Sequence, residues 1–225
     1  MAPGARAAEM VDTALVLAVD VSSSVDMGRY RLQMDGIARA FEDREVQQTI
    51  TGGPHGALAV ALVEWSNKPQ LALRWTLITD AADAMAFAAR VRALPRAGGQ
   101  FTCLSQALQF IEAKVLPFLP VPAVRTVVDV SGDGHDNCNP EVPVDAARDM
   151  LVAGGVTING LPILEGDEAE TLAPWYRDHV IGGAFPFLVP AYGFDDFRRA
   201  MRRKFLLETS GVGTGARTAQ AGAFP

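Results

Sequence analysis

An uninterrupted apolar run over residues 13–19 constrains the fold of this 225-residue chain more than any other feature. A strand of this kind must be covered on both faces, which is typical of the interior strands of parallel α/β sheets. The run leads directly into Asp20-Val21-Ser22-Ser23-Ser24, and alternate residues of an extended segment point the same way. Asp20, Ser22 and Ser24 can therefore direct three oxygens to one point at the strand end, where open α/β sheets place their ligand sites.

The rest of the chain alternates between strand-like and helix-like segments. Strands are predicted over residues 13–19, 57–65, 70–78, 123–130, 156–163 and, as a last edge strand interrupted by Pro186, 185–189. Helices are predicted over residues 27–41, 79–91, 102–115, 144–153, 167–177 and 194–207, with the basic residues of the last helix on a solvated face (Arg198, Arg199, Arg202, Arg203 and Lys204). The short connection over residues 66–69 predicts a hairpin. The pattern predicts an α/β fold: a doubly wound, mostly parallel sheet with one antiparallel edge strand and helices on both faces.

The ends of the chain differ from its centre in composition. We expect a leader over residues 1–10, one domain over 11–208 and a flexible tail over 209–225. Ala5-Arg6-Ala7 resembles the end of a signal peptide, although the apolar stretch that should precede it is absent. Either a signal peptide is missing from this chain, which would make the protein periplasmic or secreted, or the leader has no such meaning.

Charge and hydropathy argue against two broad classes of function. The net charge of −6 argues against a general nucleic-acid binder, because such proteins are usually basic. No apolar run approaches the roughly 18 residues that a membrane span requires. We therefore expect no nucleic-acid partner and no membrane span.

Two further polar loops follow predicted elements of the sheet. One ends in Thr102 at the start of a predicted helix, and the other carries Asp133 after the strand over residues 123–130. If the first and fourth strands are neighbours at the point where strand order reverses, these loops meet the first one at the same crevice. The combined set offers two carboxylates and three hydroxyls, which suits Mg²⁺ or Mn²⁺, and Ca²⁺ is also compatible.

The set Asp20-x-Ser22-x-Ser24, Thr102 and Asp133-Gly134, in this order on this alternation of elements, resembles the metal-ion-dependent adhesion site (MIDAS) of von Willebrand factor type A domains. The resemblance implies that Ser22 and Ser24 bind the metal directly, that the two aspartates hold its waters, and that Thr102 acts directly or through water. It also implies an open metal position for an acidic side chain of a partner protein. The segment 176–183 and the helix ending in Arg203-Lys204-Phe205 resemble an uncharacterised exported bacterial family of this fold.

These residues lead us to expect a metal-dependent protein-binding module that is not an enzyme. One alternative is a metal-dependent hydrolase, although the chain contains neither a Gly-x-Ser-x-Gly elbow nor a phosphate-binding Gly-x-x-x-x-Gly-Lys-Ser/Thr loop. Another is a structural domain whose metal site is vestigial. A third is that Asp20, Ser22 and Ser24 only cap the following helix.

Three residues near the proposed metal loops keep alternative roles. Cys103 and Cys138 follow two of these loops, so we expect them to be close in space. In an exported protein they would form a disulfide, and otherwise they would be two buried thiols. Asp129 either supports the metal site from behind or is paired within the core.

Overall fold

The computed structural model describes residues 8–138 and 141–209 and contains a five-stranded sheet of order β3-β2-β1-β4-β5. The strands are β1 (Val11–Asp20), β2 (Leu58–Trp65), β3 (Gln70–Ile78), β4 (Ala123–Gly132) and β5 (Val156–Pro162). The central strand β1 is parallel to both β2 and β4, and β5 is parallel to β4. The hairpin strand β3 is antiparallel to β2. The predicted fold class and the predicted neighbourhood of the first and fourth strands are confirmed.

The helices are α1 (Met27–Glu42), α2 (Arg44–Thr51), α3 (Ala81–Arg92), α4 (Leu104–Lys114), α5 (Val144–Ala153), α6 (Ala169–Trp175) and α7 (Phe197–Thr209). Asp26 caps α1 by accepting the backbone N–H of Arg29 at 2.9 Å. The cap of α1 is therefore a residue outside the Asp20–Ser24 segment. Helix α2 was not predicted from the sequence, because its two buried residues, Val46 and Ile50, are too few to establish a periodicity.

Each face of the sheet carries its own apolar core. Leu15 and Leu17 of β1 face α1, α3 and α7, where Phe41 packs edge-on against Phe87 and Phe205 with ring centroids 4.7 and 4.9 Å apart. The alternate residues of β1 face α4, α5 and α6. Because β1 is covered on both sides, its central residues 14–19 are all apolar.

The predicted edge strand over residues 185–189 is wrong. This segment makes only isolated bridges to the sheet, including one between Leu188 and Gly160. Pro186 and Pro190 have no N–H to donate to a ladder, and Phe185 has a left-handed φ of 53°. The segment therefore runs beside β5 without extending the sheet.

The predicted solvated face of the last helix is wrong at one position. Its four arginines are exposed, but Lys204 has no exposed surface. Its ammonium group contacts the carboxylate of Asp129 and, at 3.1 Å, that of Glu208, and both carboxylates are also buried. Of the two roles predicted for Asp129, the structure shows the paired core carboxylate.

Residues 1–7 of the predicted leader and 210–225 of the predicted tail lie outside the described residues. Within residues 8–138 and 141–209, no helix is both long enough and apolar enough to cross a bilayer.

Candidate metal centre

Three loops bring the predicted site residues together at the carboxyl edge of the sheet. Asp20 is the last residue of β1, and β4 ends at Gly132, immediately before Asp133. The two strands are adjacent, with Val19 opposite Ser131. Thr102 comes from the loop before α4, and its hydroxyl lies 3.7 Å from the point that a Cβ on Gly134 would occupy.

The two serines link the first loop to Asp133. The hydroxyls of Ser22 and Ser24 are 3.2 Å apart, and Ser24 donates a hydrogen bond of 2.7 Å to Oδ1 of Asp133. Ser22 and Thr102 are buried, whereas Ser24 is exposed. The site thus has a buried base and one side that is open to solvent.

The two carboxylates create an unbalanced negative charge at this position. Oδ1 of Asp20 accepts the backbone N–H of Ser22 at 2.7 Å, but its buried Oδ2 has no hydrogen-bond partner among the described residues. Burial, and after it the nearby Asp133, raises the pKa of Asp20 to about 7. Burial also raises the pKa of Asp133, against the opposing effect of the hydrogen bond from Ser24. The site is therefore arranged to gain from a bound cation.

Two arginines that sequence reasoning missed hold the first loop in place. Arg96 donates from one guanidinium nitrogen to the carbonyl oxygens of Val21 and Ser22, at 3.0 and 2.8 Å. Arg29 donates to the carbonyl oxygen of Ser24 at 2.6 Å and pairs with Glu165 at 2.5 Å. Both arginines bind main-chain oxygens, which leave no signal in the sequence, so the pattern could not have identified them.

A disulfide between Cys103 and Cys138 joins the Thr102 loop to the loop after β4. Beside it, the backbone N–H of Thr102 donates to the side chain of Asn137 at 2.9 Å, and the backbone N–H of Asn137 donates to the carbonyl oxygen of Thr102 at 3.0 Å. The predicted proximity of the two cysteines is confirmed, and of the two predicted states the structure shows the disulfide.

Comparison with known families identifies the chain by sequence. A family model described as "Protein of unknown function (DUF1194)" matches residues 10–213. The chain belongs to the DUF1194 family. No curated protein sequence matches it.

Solved structures similar to this DUF1194 chain include von Willebrand factor A domains. Proximal thread matrix protein 1 from the mussel byssus has 17% identity and a TM-score of 0.65, over 88% of this chain and 46% of the mussel chain. This chain therefore spans about half the length of the mussel protein, a second structure of which has a zinc-occupied MIDAS motif. The von Willebrand factor domain of the type V pili tip protein Mfa5 from Porphyromonas gingivalis has 13% identity and a TM-score of 0.62, over 92% of this chain and 98% of that one. These likenesses show the fold.

The donor set of the DUF1194 chain fits a hard divalent cation. The side chains that meet at the site contribute only oxygens, two carboxylates and three hydroxyls, which are the ligands that Mg²⁺ and Mn²⁺ prefer. Across the described ranges, no group of three or more His, Cys, Asp or Glu side chains is arranged to hold a metal. This site differs from such clusters because most of its donors are hydroxyls. The unpartnered Oδ2 of Asp20 is the observation that a cation with its bound waters would explain.

His135 lies on the side of the site that faces α6. Its backbone N–H and its ring Nδ1 both contact Oε2 of Glu168, at 2.7 and 2.8 Å. Its ring packs edge-on against Trp175, with centroids 5.1 Å apart. These contacts fix the orientation of the loop that carries Asp133.

Proposed function

We propose that this protein is a metal-dependent protein-binding module. In this proposal Ser22, Ser24 and Thr102 bind Mg²⁺ or Mn²⁺, with Ca²⁺ a third candidate, while Asp20 and Asp133 hold the waters of the cation. The observation that carries the proposal is the buried, unpartnered Oδ2 of Asp20 beside a second carboxylate. When bound, the cation supplies a Lewis-acidic position that attracts a carboxylate from another molecule.

The exposure of the site supports a role in binding another protein. Ser24 is exposed and Asp133 is half-buried, so a ligand at this position can be reached from solvent. Phe101, next to Thr102, has 49% of its surface exposed. Aromatic side chains are enriched in protein–protein interfaces. We infer that the partner contributes an acidic side chain.

The similar structures support the same proposal. The mussel thread matrix protein has a structure with a zinc-occupied MIDAS motif, and a second similar structure is a domain of a pilus tip protein. By analogy, the function we propose is adhesion or assembly, and we assign no catalytic step to the site.

We further propose that the protein is exported to the periplasm or cell surface. The support is the disulfide between Cys103 and Cys138, because such bonds persist mainly in oxidising compartments. Export of this kind would require a signal peptide ahead of the domain.

Isothermal titration with Mg²⁺ and Mn²⁺ tests the metal site. We expect the wild-type protein to bind one of them and the Ser22→Ala/Ser24→Ala variant to bind neither. Ser23→Ala is the control in the same loop, because the exposed hydroxyl of Ser23 is not one of the proposed ligands and donates to the carbonyl oxygen of Gln100 at 2.9 Å. Equal binding by wild type and the double variant would contradict the proposal.

Capture of a partner tests the binding role. The bait is presented in Mg²⁺, in EDTA and as Ser22→Ala. A partner of the proposed kind is captured only by wild type in Mg²⁺. It is then lost when one of its own Asp or Glu residues is changed to the corresponding amide. A partner that binds equally in EDTA would refute the role of the metal.

A further inference from the structure

Three adjacent strands end side by side beneath the candidate metal centre. Trp65, Asp20 and Gly132 are the last residues of β2, β1 and β4, and Asp20 lies directly opposite Trp65 in the parallel register. Two residues earlier in each strand, the side chains belong to the core under α4, α5 and α6, so these three positions face the same way. Gly132 presents no side chain, which leaves space next to Asp20.

Tyr176 fills this space from the opposite side. It begins the π-helical turn Tyr176–Val180 that follows α6, and its side chain is fully buried. A Cβ on Gly132 would lie 2.9 Å from its hydroxyl, and a Cβ on Gly160 would lie 2.8 Å from its ring. Two glycines, one in β4 and one in β5, therefore make room for this one aromatic side chain. Single π-turns of this kind are often found at functional sites.

The indole ring of Trp65 borders the gap through Cζ2, which lies 3.1 Å from the Cβ point on Gly132. Three polar atoms of the side chains around the gap have no hydrogen-bond partner in the described part of the chain. They are the hydroxyl of Tyr176, the indole N–H of Trp65 and Oδ2 of Asp20, and all are buried. The same Cβ point on Gly132 lies 2.9 Å from the Tyr176 hydroxyl and 3.0 Å from Oδ2 of Asp20. Buried polar groups without hydrogen-bond partners are rare in folded proteins, so each one needs a physical explanation.

The chemistry of the three atoms is complementary. Tyr176 and Trp65 each offer a donor, and Oδ2 of Asp20 is an acceptor. Burial, and after it the carboxylates of Asp20 and Asp133, raises the pKa of Tyr176 well above its ordinary value, so its hydroxyl keeps its proton beside these acids.

We propose that Tyr176 is a positioning residue of the cation site. In the cation-bound state its hydroxyl and the indole N–H of Trp65 donate to the Oδ2 side of Asp20, directly or through a water, while the backbone N–H of Ser22 holds the Oδ1 side. The carboxylate is thereby fixed in the orientation in which it can serve the cation and its waters. This inference rests on the proposed function, since it assigns a role toward the same cation.

Tyr176→Phe tests the inference, because it removes one hydroxyl and leaves the ring in place. We expect the dissociation constant for Mg²⁺ to rise about tenfold, the effect of losing a hydrogen bond to a charged group. We expect the melting temperature in EDTA to be no lower than that of wild type, since the lost hydroxyl has no partner there. A purely structural tyrosine would lower the melting temperature and leave the dissociation constant unchanged.

Tyr30→Phe is the matched control. The hydroxyl of Tyr30 is also buried, but it donates to Glu64 at 2.6 Å and lies in the core on the other face of the sheet. This variant should melt at a lower temperature and bind Mg²⁺ like wild type.

Trp65→Phe removes the second donor and should also weaken Mg²⁺ binding, which provides a test if Tyr176→Phe fails to fold.

The possible failures can be told apart. If wild type binds neither Mg²⁺ nor Mn²⁺, both the proposed function and this inference are refuted. If wild type and Tyr176→Phe bind Mg²⁺ equally well, only the proposed role of Tyr176 is refuted. A rise in the dissociation constant for both Tyr176→Phe and Tyr30→Phe would also overturn it, because the effect would then follow from any tyrosine lost from the core.

Discussion

Asp20→Asn is expected to stabilise the metal-free protein and to abolish its stabilisation by a cation. Asparagine keeps the shape of the side chain, and its carbonyl oxygen can still accept the backbone N–H of Ser22, as Oδ1 of Asp20 does at 2.7 Å. What the substitution removes is a buried charge beside Asp133. Without a cation this buried charge destabilises the folded protein. With a cation, the same charge attracts the ion and its waters to the site.

The magnitude follows from the pKa of Asp20. Burial and Asp133 raise it from 3.8 to about 7 in the folded protein. At about 1.4 kcal/mol per unit, the ionised carboxylate destabilises the metal-free fold by about 4 kcal/mol above pH 7. Because the folded state binds more protons than the unfolded state between pH 4 and 7, the free energy of unfolding of wild type falls as pH rises through this window. The variant lacks the part of this decrease that comes from Asp20.

Thermal unfolding in EDTA and in Mg²⁺ from pH 4 to 8 measures the effect. In EDTA at pH 8 the variant should melt about 10 °C above wild type, and the two should converge near pH 4. Mg²⁺ should raise the melting temperature of wild type more at pH 8 than at pH 5.5, and should leave that of the variant unchanged.

Asp12→Asn is the control for this prediction. Asp12 lies near the other end of the same strand, where its carboxylate accepts the backbone N–H of His55 at 3.1 Å. This variant should keep the response of wild type to Mg²⁺. If Asp20→Asn is no more stable than wild type in EDTA at pH 8, the reasoning from the buried charge is refuted.

Three further substitutions test the surroundings of the site. Lys204→Met leaves Asp129 buried without its cation and should lower the free energy of unfolding, measured in urea at pH 7, by about 3–5 kcal/mol; a loss under about 1 kcal/mol would contradict the pairing. Cys103→Ala/Cys138→Ala opens a loop with a sequence separation of 35 residues. It should cost about 4 kcal/mol in the same assay, and an unchanged urea midpoint would argue against the disulfide. Arg96→Met removes two hydrogen bonds to the first loop and should raise the dissociation constant for Mg²⁺ about tenfold, unless this arginine has no part in shaping the loop.

The features of the fold that depend on local pattern could be predicted from the sequence. The apolar run of β1 indicates a covered central strand, and the short connection after β2 indicates the hairpin. The strand ends then indicate which loops meet, which is how Asp20, Thr102 and Asp133 could be grouped across more than a hundred residues. The geometry of the site follows from strand order, and strand order is constrained by few rules.

The features that could not be predicted depend on contacts between distant segments. Lys204 follows four arginines closely in sequence and looks like one more solvated base, because its partner Asp129 comes from another strand. Tyr176 has the pattern of an ordinary core aromatic, and only the two glycines beneath it distinguish its position. Residues 185–189 have strand-like composition, but Pro186, the following Pro190 and the left-handed Phe185 prevent them from pairing in a regular ladder.

The pairing of β1 with β4 has a consequence for folding. The two halves of the candidate site lie on strands whose paired residues are more than a hundred positions apart, such as Val19 and Ser131. Closing so large a loop is slow compared with forming local contacts. Neither half of the chain alone contains the full donor set, and a chain that has not yet paired these strands has no site. Cation binding would therefore occur only after β1 and β4 have paired. A nascent chain that ends before β4 would not bind the metal.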